Sequence, residues 1–286
     1  MERFLIGNIL VEMDYSDIPV LSEGSLRRFC YNGPWEGETV RLKFSIEPLS
    51  NFLAPEFSKE NLVYGIYEHE NKPFLVYRWG NLLHGFAVWP EAFSVTFDSR
   101  MLTQTPLHED WFFSVCSFHR QLLIRNACVL HASYIDIGGE AILFTGPSNI
   151  GKSTQAELWK RYQNAEIING DRVLLRKVSD RWFAFGYPSC GTSGICINRQ
   201  LPVRAIVVLS QAPENAIEYI SVFEKIRALT AATELYPWNQ SEIDMALKIA
   251  TEISMEVPIV KLSCRVDQEA VDTLKRYLEG GLHDVI

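Results

Sequence analysis

The run EAILFTGPSNIGKST, residues 140–154, constrains this chain more than any other stretch. An apolar segment suited to a buried strand stops at Gly146, and after four residues Gly151 opens a helix-compatible run beginning Lys152-Ser153-Thr154. The spacing is GxxxxGK[ST], and both flanks suit it, a strand leading in and a helix leading out. Such a turn wraps backbone N–H groups around phosphate oxygens, and the helix N-terminus adds positive partial charge. The candidate nucleotide-binding residues are therefore Gly146, Pro147, Ser148, Asn149, Ile150, Gly151, Lys152, Ser153 and Thr154. Lys152 would reach the β/γ phosphates, Ser153 would place its hydroxyl on Mg²⁺, and Thr154 would lie near the inner phosphates. The bland reading is a chance match at a strand-to-helix turn, and the two correct flanks weigh against it.

Elements around the loop follow from local signals. VLHASYIDI reads as a strand and Gly138-Gly139 as a hairpin turn into the loop strand. A helix is expected from about Lys152 to Tyr162, then short strands at AEIIN, RVLLRK and WFAFG, and a buried strand at VRAIVVL. Ser241 and Asp244 have capping-box spacing before a stripe of Ile243, Ala246, Ile249, Ala250 and Ile253. VPIVKL reads as a strand, and Asp267 can cap a last helix that ends at Gly280. Upstream, residues to about 105 show short alternating runs (FLIGNILVEM, VRLKFSI, LVYGIYE, FLVYRWG, FAVWP, FSVTF) separated by turn residues. They suggest an antiparallel meander or small barrel whose aromatics are core or a binding face. A helix expected from Asp110 to about Arg125 would join the two regions. The expected architecture is α/β (α+β overall): a β-rich domain over 1–107 and a phosphate-loop domain over 108–286, a mixed sheet with flanking helices.

Composition bounds the partners. Of 286 residues, 47% are hydrophobic and 22% charged, enough for a real core. The net charge of -8 argues against general nucleic-acid binding. Through Asp110 there are 9 basic and 16 acidic residues, and from Trp111 onward 18 and 19, so the acidity sits in the first part. No apolar run approaches the ~18 residues of a membrane helix, and the acids in MERFLIGNILVEMDY do not suit a signal peptide, so a cytoplasmic location is expected. Cys30, Cys116, Cys128, Cys190, Cys196 and Cys264 form no CxxC pair and are expected to be buried free thiols.

The run LHASYIDIGGEAILFTGPSNIGKSTQAELW, followed by IINGDRV, resembles the catalytic domain of the HPr kinase/phosphorylase family, especially its looser HPr kinase-related group, and more distantly ATP-dependent phosphoenolpyruvate carboxykinase. The resemblance covers roughly residues 128 to 210. It implies an HPr kinase/PEP carboxykinase-like sheet, ATP and Mg²⁺ as cofactors, and three catalytic residues, His131, Lys152 and Asp171, with Ser153 and Asp171 as metal ligands. Asp171 matches the second of two adjacent aspartates; the first is Gly170 here, and with it the residue generally assigned as catalytic base is absent. Asp171 would then hold Mg²⁺ alone and His131, the side chain titrating nearest neutrality, could act as base. No HPr-recognition signature follows, so HPr is not the expected substrate.

Other residues are weighed on both sides. Arg172 could neutralise phosphate charge or point to solvent. The segment Gly186–Gly194 is rich in small residues, and Gly191, Thr192 and Ser193 could form a substrate loop or a plain connection. Arg204 suits a structural ion pair, and His84, His108 and His119 show no ligand spacing. Two functions follow: an ATP-dependent kinase acting on a hydroxyl of a peptide, protein or small molecule, or a nucleotide-binding regulatory or scaffold protein without transfer. The oligomeric state is left open, a homo-oligomer included.

Overall fold

A computed structural model describes residues 1–15, 18–47, 65–69, 72–79, 82–86, 94–98, 107–110, 113, 116–237 and 239–280, with side chains from 47 to 107 left aside. The chain divides into two compact units, Met1–Phe118 and His119–Ile286.

In the first unit, strands β1 (Glu2–Ile6), β2 (Ile9–Asp14), β4 (Thr39–Glu47) and β8 (Ser94–Asp98) form a sheet in that order. The run FLIGNILVEM is two strands, because Gly7 and Asn8 both adopt positive φ and turn the chain into a β1–β2 hairpin. The pairs β2–β4 and β4–β8 are parallel, which corrects the antiparallel expectation for this sheet. Parallel neighbours need long crossovers, and the second crossover contains an antiparallel meander of β5 (Gly65–His69), β6 (Lys72–Trp79) and β7 (Leu82–Phe86). Short strands β3 (Val20–Leu21) and β9 (Leu107–His108) pair in parallel. The expected turns at 70–71 and 80–81 and the stretch 87–93 lie outside the described residues. Among described aromatics, Phe4, Phe29 and Phe44 are core, and Tyr15 stacks on Phe44 at 5.4 Å.

The joining helix is not continuous. Glu109, Asp110 and Phe113 are helical, Ser117 takes φ 55°, and α1 follows over Phe118–Ile124. Asp110 lies within the helical residues rather than ahead of them, and its carboxylate accepts from the Ser25 and Leu26 amides, both at 2.7 Å, at the head of the 3₁₀ turn Leu26–Phe29.

The second unit is mixed α/β. Strands β10 (Ala127–Ile137) and β11 (Glu140–Thr145) form the expected hairpin, with Gly138 and Gly139 both at positive φ. α2 is Lys152–Gln163, followed by β12 (Glu166–Asn169), β13 (Arg172–Val178), β14 (Arg181–Gly186), β15 (Gln200–Gln211) and β16 (Ala216–Glu218). Then come α3 (Val222–Ala232), α4 (Gln240–Glu256), β17 (Ile259–Cys264) and α5 (Gln268–Gly280). β10 and β15 are long enough to serve two sheets. The N-terminal half of β10 pairs with β13 and its C-terminal half with β11 and β12; β15 pairs with β14 first, then runs parallel to β11 and β17.

Alternation along β11 explains the layers. Ala141 and Leu143 enter a core shared with β13, β14, α3 and α4, while Ile142 and Phe144 enter a second core with Trp159 of α2 and Val271 and Leu274 of α5. Two caps differ from expectation. α4 starts from Asn239, whose side chain accepts from the Glu242 amide, so Ser241 lies inside the helix. α3 carries a capping box, Ser221 with Glu224. Asp267 accepts from the Ala270 amide, as expected. Among the described residues no helix is long and apolar enough to cross a membrane.

Candidate functional site

β11 delivers the chain to the loop, and the loop residues Pro147, Ser148 and Asn149 are exposed. Gly146 and Gly151 adopt φ 138° and 111°, which side-chain-bearing residues rarely reach. Gly151 is the N-cap of α2 and no side chain caps that helix, whose first turn also lacks acidic residues. The first amides of the helix therefore have no intrahelical acceptor and suit an anion. Lys152 is buried, and its Nζ donates to the Gly146 and Pro147 carbonyls at 3.1 and 3.0 Å. Burial pushes its pKa down, opposed by the nearby Asp171 carboxylate. Ser153 and Thr154 are exposed at the start of the helix.

Behind the loop, one turn gathers the remaining groups. The Gly170 carbonyl accepts from both the Ser133 hydroxyl (3.1 Å) and the Ser153 hydroxyl (3.3 Å). Asn169 is fully buried, and its Oδ1 accepts from the Asp171 and Arg172 amides at 2.9 and 3.0 Å while its Nδ2 donates to the Tyr187 carbonyl at 2.7 Å. This Asx turn fixes where Asp171 points. Sequence reading passed over Asn169, although an Asn ahead of Gly-Asp is the signal for such a turn.

Asp171, His131 and Arg172 lie together. His131 Nε2 is 3.5 Å from Asp171 Oδ1, Arg172 Nε is 3.5 Å from Asp171 Oδ2, and Arg172 Nη1 is 3.4 Å from His131 Nδ1. A guanidinium has only donors, so Nδ1 presents its lone pair and the ring proton sits on Nε2, facing the carboxylate. Burial, then Lys152 and Arg172, hold the His131 pKa below its ordinary value, in keeping with a neutral ring. Arg172 does not simply face solvent: its Nε is also 3.7 Å from Glu234, whose other oxygen is 3.9 Å from His119. His119 in turn meets Glu242 at 3.3 Å, and Arg120 meets Glu242 at 2.7 Å. His119 is thus buried in a charge network, which its lack of ligand spacing did not foretell.

The segment carrying Gly191, Thr192 and Ser193 packs on this turn. Cys190 and Cys196 are disulfide-bonded, with Cα atoms 5.0 Å apart, which corrects the expectation of six free thiols. A 3₁₀ turn, Gly191–Ser193, brings the two together. Cys30, Cys116, Cys128 and Cys264 form no disulfide, and Cys30 is exposed rather than buried. A Cβ on Gly170 would lie 2.2 Å from Ser193 Oγ, and one on Gly191 would lie 2.6 Å from the Asp171 Cβ. The two turns interlock, and the absent first carboxylate has its space filled by Ser193. Gly191, Thr192, Ser193 and Gly194 are exposed. Arg204 lies elsewhere: it meets Glu140 at 3.6 Å and donates to the Leu278 carbonyl at 2.9 Å.

The donor set suits the two groups that the motif implies. Ser153 and Asp171 offer hydroxyl and carboxylate oxygens, the hard donors that Mg²⁺ prefers. No group of three or more His, Cys, Asp or Glu side chains gathers as a metal cage among the described residues, and a phosphate-bound Mg²⁺ needs none. The loop amides and Lys152 suit a polyphosphate.

No protein-family model matches the chain, and no curated protein matches it. Among solved structures, the chain is similar to the Hpr(Ser) kinase/phosphatase from Coxiella burnetii at 15% identity and a TM-score of 0.29, over 53% of this chain and 99% of that one. At that TM-score the likeness carries no weight for chemistry, which rests on the geometry above.

Proposed function

We propose that this protein is an ATP-dependent phosphotransferase of the cytoplasm, moving the γ-phosphoryl group to a hydroxyl of a peptide, protein or small molecule other than HPr. The observation that supports it is the hydrogen bond from Ser153, which follows the phosphate loop, to the carbonyl of Gly170 in the turn that carries Asp171. Loop amides and Lys152 hold the phosphates, Lys152 exchanging its two loop carbonyls for phosphate oxygens. Ser153 and Asp171 would hold Mg²⁺, which when bound neutralises phosphate charge. Arg172 adds a second cation. The acceptor O–H approaches past Gly191, Thr192 and Ser193. Its oxygen bonds to the γ-phosphorus, the bond from phosphorus to the ADP oxygen breaks, and the proton passes to the Asp171 carboxylate oxygen that is not engaged by the cation. His131, whose Nε2–H faces Asp171, is a positioning residue in this reading. The transfer works by positioning and charge neutralisation.

Purified protein with γ-labelled ATP, Mg²⁺ and a panel of seryl and threonyl peptides tests it. Label should reach an acceptor, and Lys152→Ala should lower the rate at least ~100-fold. His131→Gln keeps an N–H donor but cannot take a proton. Transfer within about tenfold of wild type supports Asp171 as base, and a drop of ~10²–10⁴-fold moves that role to His131.

A second reading, nucleotide binding without transfer, is favoured by two observations. Lys152 is already satisfied by its own loop, and Gly170 offers no carboxylate. Tight ATP binding with no label transferred to any acceptor in the panel decides for it.

A further inference from the structure

Asp171 shares its guanidinium partner with a second carboxylate. Arg172 Nε lies 3.5 Å from Asp171 Oδ2 and 3.7 Å from Glu234 Oε2, and its Nη1 lies 3.4 Å from His131 Nδ1. Among the described residues Arg172 meets no third carboxylate. Backbone contacts bring Glu234 there. Past the end of α3, Thr233 bridges to Leu130 of β10, and the Glu234 amide donates to the Val129 carbonyl at 2.8 Å, just ahead of His131 on the same strand. The other carboxylate oxygen of Glu234 lies 3.9 Å from His119 Nδ1, on a ring whose Nε2 meets the buried Glu242 at 3.3 Å. Glu234 is thus placed by β10 behind it and by His119 beside it.

The arrangement sets up a competition. A guanidinium stays charged, and a carboxylate that pairs closely with it is less available to a metal cation, because the two cations repel and draw on the same oxygens. Both Arg172 distances exceed the roughly 2.7–2.9 Å of a tight charge-assisted hydrogen bond, so Arg172 is divided between Asp171 and Glu234 rather than committed to either. If Glu234 lost its charge, Asp171 would be the anion left to Arg172. We infer that Glu234 is a positioning residue of the site, holding Arg172 between two carboxylates and so leaving Asp171 able to take a divalent cation beside bound nucleotide. The inference rests on the reading of Asp171 as the Mg²⁺ ligand, and it adds a residue that the phosphate-loop motif does not contain.

Calorimetric titration of the full chain with a non-hydrolysable ATP analogue, once with Mg²⁺ and once with EDTA, tests it without any turnover. The quantity read is the gain in affinity that Mg²⁺ gives. Glu234→Gln keeps the size of the side chain and removes its charge. It should lower the gain about tenfold, as losing a partner behind a metal ligand does, through weaker binding with Mg²⁺. Arg172→Gln removes the competing cation, and adding Glu234→Gln to it should change the gain by less than about twofold, since the two residues act through one another. Asp171→Asn reports on the underlying reading and should remove most of the gain. A wild type with no Mg²⁺ gain, or a gain that survives Asp171→Asn, overturns that reading and this inference together. If Asp171→Asn removes the gain while Glu234→Gln leaves it intact, the inference alone falls. It falls equally if Glu234→Gln costs as much in the Arg172→Gln background as in the wild type. A gain that drops only because binding in EDTA tightens would make Glu234 a repulsive neighbour of the phosphates and also overturn the inference.

Discussion

Asn169 and Gly170 show how little of a site need be chemically reactive. Asn169 is buried and spends both ends of its amide on backbone, two accepted bonds and one donated. Asn169→Ala should cost about 2–3 kcal/mol in chemical denaturation, near 1 kcal/mol for each bond lost. Because it aims Asp171, the variant should lose transfer rate more than ATP affinity. Gly170 makes a sharper test. A methyl group there meets Ser193 Oγ at 2.2 Å, too close for any real contact. Gly170→Ala should therefore destabilise the protein by roughly 1–3 kcal/mol, as overpacking does. Adding Ser193→Gly removes the colliding hydroxymethyl and should restore most of that loss. Equal melting temperatures for the single and double variants would show that the two turns do not interlock. The position that reads in sequence as a missing carboxylate is also a packing decision, and that second meaning appears only when residues 170 and 193 are seen together.

At the level of elements, what could be read in advance was local. The β10–β11 hairpin, the glycine-bounded loop, α2, β17 and α5 each carry their own turn, cap or periodicity within a dozen residues. The α3 capping box at Ser221 and Glu224 was equally local and went unread. Other features are set by distant partners. Asp110 looks like a helix cap but serves a 3₁₀ turn whose residues lie 84 and 85 positions away. His119 finds Glu242 across 123 positions. Glu242 itself replaces the expected Ser241–Asp244 box: it sits in the first turn of α4, fully buried, accepting from Arg120, Asn239 and the Tyr236 amide. Removing one partner from such a network strands the others. Glu242→Ala should cost about 3–5 kcal/mol, and Asn239→Ala about 1 kcal/mol as a lost cap. Urea unfolding curves of the two variants separate the costs, and similar losses in both would reduce Glu242 to a capping residue.

Across the whole molecule, charge is the feature that sequence displays best and coordinates explain least. The first 110 residues carry 9 basic and 16 acidic side chains, while the rest is nearly balanced at 18 and 19. Part of that acidity is spent internally, as where Glu2 and the buried Glu109 both meet Arg27. The excess of acidic over basic side chains makes a negative field, and such fields act on association through a screening length of ~10 Å at 0.1 M salt. We propose that the β-rich first unit favours a basic acceptor on this ground. Peptides of one acceptor serine, flanked by lysines, by glutamines or by glutamates, separate the effect from sequence preference. At 20 mM salt the lysine peptide should show the highest kcat/KM, by roughly tenfold over the glutamate peptide, through KM rather than kcat. At 0.5 M salt the order should collapse to within about twofold, since screening weakens exposed charges and leaves buried contacts alone. A ranking indifferent to salt would remove the acidic unit from acceptor choice while leaving the phosphate-loop chemistry standing, because that chemistry is tested by Lys152 and not by the peptide's charge.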